Sequence, residues 1–133
     1  MALIVRLPLA SGLLGGKMSK YTTFAADDHR NFNRDGQAFN VGETFSGLSF
    51  DNGLEIIEEL CPLVPEDMTM AQFALRWILD HDAVSAVIPG ARNPEQVAGN
   101  LRGAEFPPLG EARHEKLAVF YASNVSNHIR GPY

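Results

Sequence analysis

Two short runs of branched apolar residues stand out from an otherwise mixed chain. ALIVRLPL, residues 2–9, is dominated by such side chains and stopped by Pro8, so it predicts a short buried strand. AVSAVIPG, residues 83–90, predicts a second one. Between them the pattern changes character. ASGLLGGK, residues 10–17, has three glycines in eight positions and predicts a loop with unusual backbone freedom. Residues 18–47 show no sustained period. They are polar with scattered phenylalanines, and predict a long excursion of the kind that often carries function.

Helical spacing returns in SFDNGLEIIEELCPLVP, residues 49–65. Leu54, Ile57, Glu58 and Cys61 recur at helical intervals, acidic residues fill the first half, and Pro62 ends the run. MTMAQFALRWILDHDA, residues 68–83, is the clearest helix. Thr69 is its N-cap, and Phe73, Ala74, Trp77 and Ile78 form one apolar face, which makes Phe73 and Trp77 core residues. After the second strand, Asn93 caps a helix with Pro94 at its first position, where proline's fixed φ and missing N–H fit. Residues 110–129 predict a terminal amphipathic helix with Leu117, Phe120 and Tyr121 inward.

The order strand, long loop, helix, helix, strand, helix, helix predicts parallel β/α units. Two strands alone make only a marginal sheet, and these are too apolar to leave their edges in water. The chain therefore reads as a piece of something larger.

Composition narrows the classes. A chain of 133 residues is one domain at most, and its 45% hydrophobic content is ordinary for a globular protein. No run is apolar enough to span a bilayer, and Arg6 and Pro8 interrupt the N-terminal run that would otherwise suggest a leader. The single cysteine, Cys61, excludes an internal disulfide and suits a reducing cytoplasm; beside Pro62 it reads as a buried or idle thiol. A net charge of −5 argues against a nucleic-acid surface. His29, His81, His114 and His128 lack metal-ligand spacing, and Glu55, Glu58 and Glu59 read as a solvated helix face.

The candidate chemistry lies in two segments, each following a strand. PLASGLLGGK offers backbone amides, the Ser11 hydroxyl and the Lys17 ammonium, which suit a pyrophosphate. PGARNPEQVAGN sets Gly90 and Arg92 before a helix start, where free N–H groups and the helix dipole favour an anion. Gln96 and Asn100 follow on that helix and can reach the same region.

These segments carry a family resemblance. VRLPLASGLLGGK resembles the loop after the seventh barrel strand of the aldo-keto reductases, FALRWIL resembles the helix leading to the eighth, and VIPGARNPEQVAGNL resembles the last strand-to-helix loop. The motifs fall in family order over essentially the whole chain. The resemblance implies an α/β fold: about the last quarter of a TIM-type (β/α)8 barrel, spanning residues 1–133, with a long polar loop after the first strand. It implies NADP (NADPH) as cofactor, held by loops at about 6–34 and 88–101, and carbonyl reduction by hydride transfer without a metal.

By resemblance, Leu7, Pro8, Leu9, Ser11 and Lys17 go to the pyrophosphate side. Gly90, Arg92, Gln96 and Asn100 go to the adenosine and 2′-phosphate side, and Arg30 adds a phosphate contact from the long loop. Arg6 stands where many members place an aromatic that stacks on the nicotinamide, and its planar guanidinium can stack too. Gly99 stands where an acidic residue usually contacts the adenine.

The family's catalytic Asp, Tyr, Lys and His belong to the first half of the barrel, on segments this chain does not contain. Tyr21, Tyr121 and Tyr133 match none of those positions. Two readings follow: the C-terminal part of an NADP-dependent reductase lacking the tetrad, or a non-catalytic nucleotide-binding or regulatory and assembly fragment. Either implies a partner, an N-terminal barrel segment or a second copy joined through open strand edges. Nucleic acid and membrane are not expected, and the location implied is cytoplasmic.

Overall fold

The structure is a computed structural model that describes residues 1–131; Tyr133 lies outside them. Strand β1 (Leu3–Arg6) runs parallel to β2 (Val84–Ile88), with Ile4 opposite Ala86, Val5 opposite Val87 and Arg6 opposite Ile88. Parallel neighbours require a crossover. Here it carries a one-turn helix α1 (His29–Phe32), then α2 (Phe50–Leu60) and α3 (Met70–Leu79). Helices α4 (Pro94–Glu105) and α5 (Glu111–Phe120) follow β2. β1 stops two residues before Pro8 because Leu7 takes φ 53°, a left-handed conformation that breaks the extended backbone.

Local chemistry explains the helix starts. Ser49 caps α2 by accepting the Asn52 N–H, and Asp51 sits in its first turn. Thr69 and Gln72 form a reciprocal capping box on α3, at 3.2 and 2.9 Å. Asn93 caps α4 through the Gln96 N–H, with Pro94 at the first position.

Helices α3 and α4 cross closely because position 103 is glycine: a Cβ there would lie 3.4 Å from Gln72 Cα. The Gln72 amide then donates to the Gly99 carbonyl at 3.1 Å. Arg76 closes the end of α4 by donating to the Ala104 and Phe106 carbonyls, and pairs with Asp80 at 2.8 Å. Asp80 also accepts from the Leu109 N–H and from His114 Nε2, each at 2.8 Å. Burial of Asp80 opposes ionisation, yet the hydrogen bonds from His114, Leu109 and Arg76 outweigh it and hold the carboxyl below the ordinary range. This hub precedes β2, at the opposite end of the sheet from the glycine-rich loops. It is a structural clamp.

The long excursion is better ordered than its sequence predicts. Two of its phenylalanines make a small core with the first residue of α2. Phe24, Phe45 and Phe50 meet at ring-centroid distances of 5.2 to 6.0 Å, packed with Leu13. The guanidiniums of Arg30 and Arg34 cover the Phe24 and Phe50 rings at 4.5 and 4.9 Å. Asn33, fully buried, donates to Thr44 Oγ1 and accepts the Ala38 and Phe39 N–H groups. Arg130 ties the C-terminal segment to this loop through the Gly47 and Leu48 carbonyls and Asp35. Gly47 has φ 82°, and a side chain there would strike the Arg130 carbonyl at 2.7 Å.

Several expectations about burial are corrected. The two strands are not buried: Ile4 is 57% and Ile88 61% exposed, because among the described residues no third strand or inner layer covers them. Phe73 is core as expected, but Trp77 is 39% exposed, packed edge-on to His81 and beside an open cleft. Cys61 is exposed rather than buried. The terminal helix ends at Phe120 and continues as one π turn, Tyr121–Val125. Leu117 and Phe120 are only half-buried and Tyr121 is exposed. The molecule presents 8497 Å² to solvent, where a compact monomer of its size presents about 6,900 Å². The uncovered strands and helix faces contribute to the excess.

Candidate functional site

The parallel register decides where the two loops meet. With Arg6 opposite Ile88, the loop leaving β1 and the segment leaving β2 emerge side by side from the carboxyl ends of adjacent strands. An antiparallel pairing would have sent them to opposite ends. Among the described residues, no hydrogen bond or ion pair joins the two segments. The strands alone bring them together.

The first loop is held in an improbable shape. Leu7, Ala10, Ser11 and Gly12 all have positive φ, from 48° to 95°. A second left-handed turn, Phe45–Gly47, packs against it, with φ of 50°, 54° and 82°. Each non-glycine residue in this region costs about 1 kcal/mol. The Ser11 hydroxyl holds the two turns together: Oγ accepts the Phe45 N–H at 3.2 Å, lies 3.4 Å from the Glu43 carbonyl, and lies 3.4 Å from His29 Nε2. Ser11 is thus engaged within the loop rather than presented outward.

Arg30 is likewise occupied. Its Nε and Nη2 donate to the Asp28 carboxylate at 2.9 and 2.6 Å, and Nη1 reaches the Ser11 carbonyl at 3.4 Å. Asp28 also accepts the Arg30 N–H, capping α1. The Arg30 hydrogen bonds lower the Asp28 pKa to about 2, against a smaller opposing effect of burial. Arg30 therefore braces the back of the loop that carries Ser11. Arg6 turns to Glu43, with a 2.9 Å ion pair between exposed groups.

The second segment is simpler. The Arg92 N–H donates to Gln96 Oε1 at 2.6 Å, and the Asn100 amide donates to the Gly90 carbonyl at 3.4 Å. Gly90, Arg92, Gln96 and Asn100 are thereby gathered around the start of α4. Gly90 has open space where a side chain would stand. The Lys17 ammonium and the Arg92 guanidinium make no hydrogen bond or ion pair with any described residue, and both residues are exposed. Pro8 is buried, Leu9 half-buried, and Leu7 faces solvent.

Three partners escaped the sequence reading. Asp28 was signalled locally, by its position before α1 and two residues ahead of an arginine. Glu43 and Phe45 were not, since they reach Arg6 and Ser11 only through the fold.

The fold and the paired strand-end loops define a parallel β/α unit, and comparison with known proteins says which architecture it belongs to. A family model described as the aldo/keto reductase family matches residues 1–121. The chain belongs to that family. It is 32% identical over 107 residues to a probable voltage-gated potassium channel subunit beta of Arabidopsis thaliana, and 30% identical over 109 residues to one of Oryza sativa subsp. japonica. Each match covers 77% of this chain and 29% of the relative. A glycerol dehydrogenase of Gluconobacter oxydans superimposes with a TM-score of 0.74 at 28% identity, covering 99% of this chain and 37% of that one. The chain thus spans less than a third of the curated relatives it matches, and its fold is part of a (β/α)8 barrel.

The Asp28–Arg30 pair makes a pH prediction. The folded Asp28 pKa of about 2 lies below the ordinary 3.8, so the pair stabilises the fold above about pH 4 and loses that contribution as pH falls through 2. Asp28→Asn should cost about 2 kcal/mol at pH 7 and flatten the decline in stability between about pH 4 and 2. Urea denaturation at a series of pH values checks this. Parallel declines in both proteins would remove the pair from the account.

Proposed function

We propose that this chain forms the cofactor-binding end of an NADP-dependent aldo-keto reductase. Lys17 faces the pyrophosphate, Arg92 the 2′-phosphate, and Gly90 with the start of α4 faces the adenosine. The observation that carries this reading is the parallel register, Arg6 to Ile88, which sets both segments at one end of the sheet. The residues present suit the group. Two exposed cations have no hydrogen-bond or ion-pair partner among the described residues, and Gly90 leaves its backbone open to approach. A bound nicotinamide cofactor would supply the hydride. Ser11 and Arg30 hold the loop's shape in this reading, and Arg6 is held by Glu43 beside the strand end.

Carbonyl reduction also needs a proton donor beside the carbonyl, with a group that tunes its pKa. Tyr21 is an exposed loop residue and Tyr121 lies on the C-terminal π turn, and neither matches the position the resemblance gives to the catalytic tyrosine. The chemistry in this reading is completed by residues from the rest of a barrel.

A fluorescence titration of the full chain with NADPH tests the cofactor reading. Saturable binding is expected, weakened about tenfold by Lys17→Ala or Arg92→Ala. Arg92→Ala should also erase any preference for NADPH over NADH. An absence of saturable binding, or turnover of a carbonyl by this chain alone, would contradict it.

The exposed strands and the excess surface favour a second element, association. The relatives described as channel beta subunits support an assembly role as an alternative to catalysis. Light scattering after size-exclusion chromatography should give a mass above that of one chain, or a mass shift when an N-terminal barrel segment is added. A stable monomer that ignores such a segment would contradict association.

A further inference from the structure

Behind the left-handed turn of the first loop lies a half-open cleft of about 310 Å³. Of the residues assigned above to the cofactor, only Pro8 touches it. Ile56, Phe73 and Trp77 of α2 and α3 form the floor, while Leu117, Phe120 and Ile129 of the C-terminal segment form the roof.

The roof is fixed at its margins by polar ties. His114 holds Asp80 at 2.8 Å, Asn124 donates to Glu59 at 2.6 Å, and Asn52 meets His128 at 3.2 Å. Arg130 anchors the far end on the Gly47 and Leu48 carbonyls. These ties hold two apolar walls apart across a gap they do not fill.

What fills such a gap follows from its lining. The volume corresponds to about ten water molecules, and each buried water needs two to four polar partners. Among the residues lining the cleft, only Ser46, Trp77 and Tyr121 carry a polar side-chain atom. Water is a poor occupant. A polypeptide backbone is also poor, because against these apolar walls it would leave N–H and C=O groups unmatched. A charged molecule would find no counter-charge on either wall. The volume falls at the lower end of small-molecule pockets.

We propose that this cleft binds an uncharged, predominantly hydrocarbon small molecule of single-ring or short-alkyl size. It is separate from the cofactor reading and does not depend on it.

Trp77 is the chain's only tryptophan and lines the cleft, so its emission reports occupancy. Bromobenzene titrated into the full chain should quench that emission to a plateau and raise the melting temperature. Benzoate, the same ring with a charge, should show no plateau over the same range. Ala74→Leu and Val125→Phe each add bulk to the space, and each should weaken bromobenzene at least tenfold while circular dichroism stays unchanged. Two filling positions on opposite walls keep the test readable if one variant misfolds. Linear quenching without a plateau would overturn the proposal. So would a plateau shared by benzoate, or one that survives filling unchanged.

Discussion

Parallel strands cannot be joined by a tight turn, so the chain that leaves Arg6 must cross over helices before it can return as Val84. That constraint organises everything else. It places α2 and α3 between the strands, sends the glycine-rich loop and the Gly90–Arg92 turn to one end, and leaves the Asp80 clamp at the other. The candidate cofactor loops and the clamp are thereby separated along the strand axis, as barrel architecture generally separates site from support.

At the end that carries the two loops the second constraint is conformational. Two left-handed turns, Ala10–Gly12 and Phe45–Gly47, would each relax if left alone, and each is held by the other through Ser11. The long excursion is the brace. Its aromatic core, its buried Asn33 and its Asp28–Arg30 pair fix the turn from behind. Arg30 and Ser11, which the resemblance gives to the cofactor, both make hydrogen bonds within the loop, whereas Lys17 and Arg92 make none among the described residues. Preorganisation of this kind lowers the conformational cost of binding.

What the sequence disclosed follows the range of the interactions involved. The caps at Thr69 and Asn93, the Pro94 start and the two strands are decided within a few residues, and all were legible. The resemblance disclosed the barrel, which two strands alone do not specify. The phenylalanines at 24 and 45 showed no period because they meet each other, and Phe50 at the start of α2, through the fold of the loop. Trp77 and the strand residues were misjudged for a related reason. Apolar character predicts burial only when a partner layer exists, and among the described residues nothing covers Ile4 and Ile88. The occupation of Arg30 by Asp28 had a local signal, whereas that of Arg6 by Glu43 had none.

The central claim is the parallel register of β1 and β2, since the paired loops, the cation placement and the cofactor reading all rest on it. Nuclear Overhauser spectroscopy on the isotopically labelled full chain tests it directly. The structure predicts cross-strand proton contacts pairing Ile4 with Ala86, Val5 with Val87 and Arg6 with Ile88. Contacts in antiparallel order, joining Leu3 to Ile88 and Arg6 to Val84, or no cross-strand contacts in a folded chain, would contradict it.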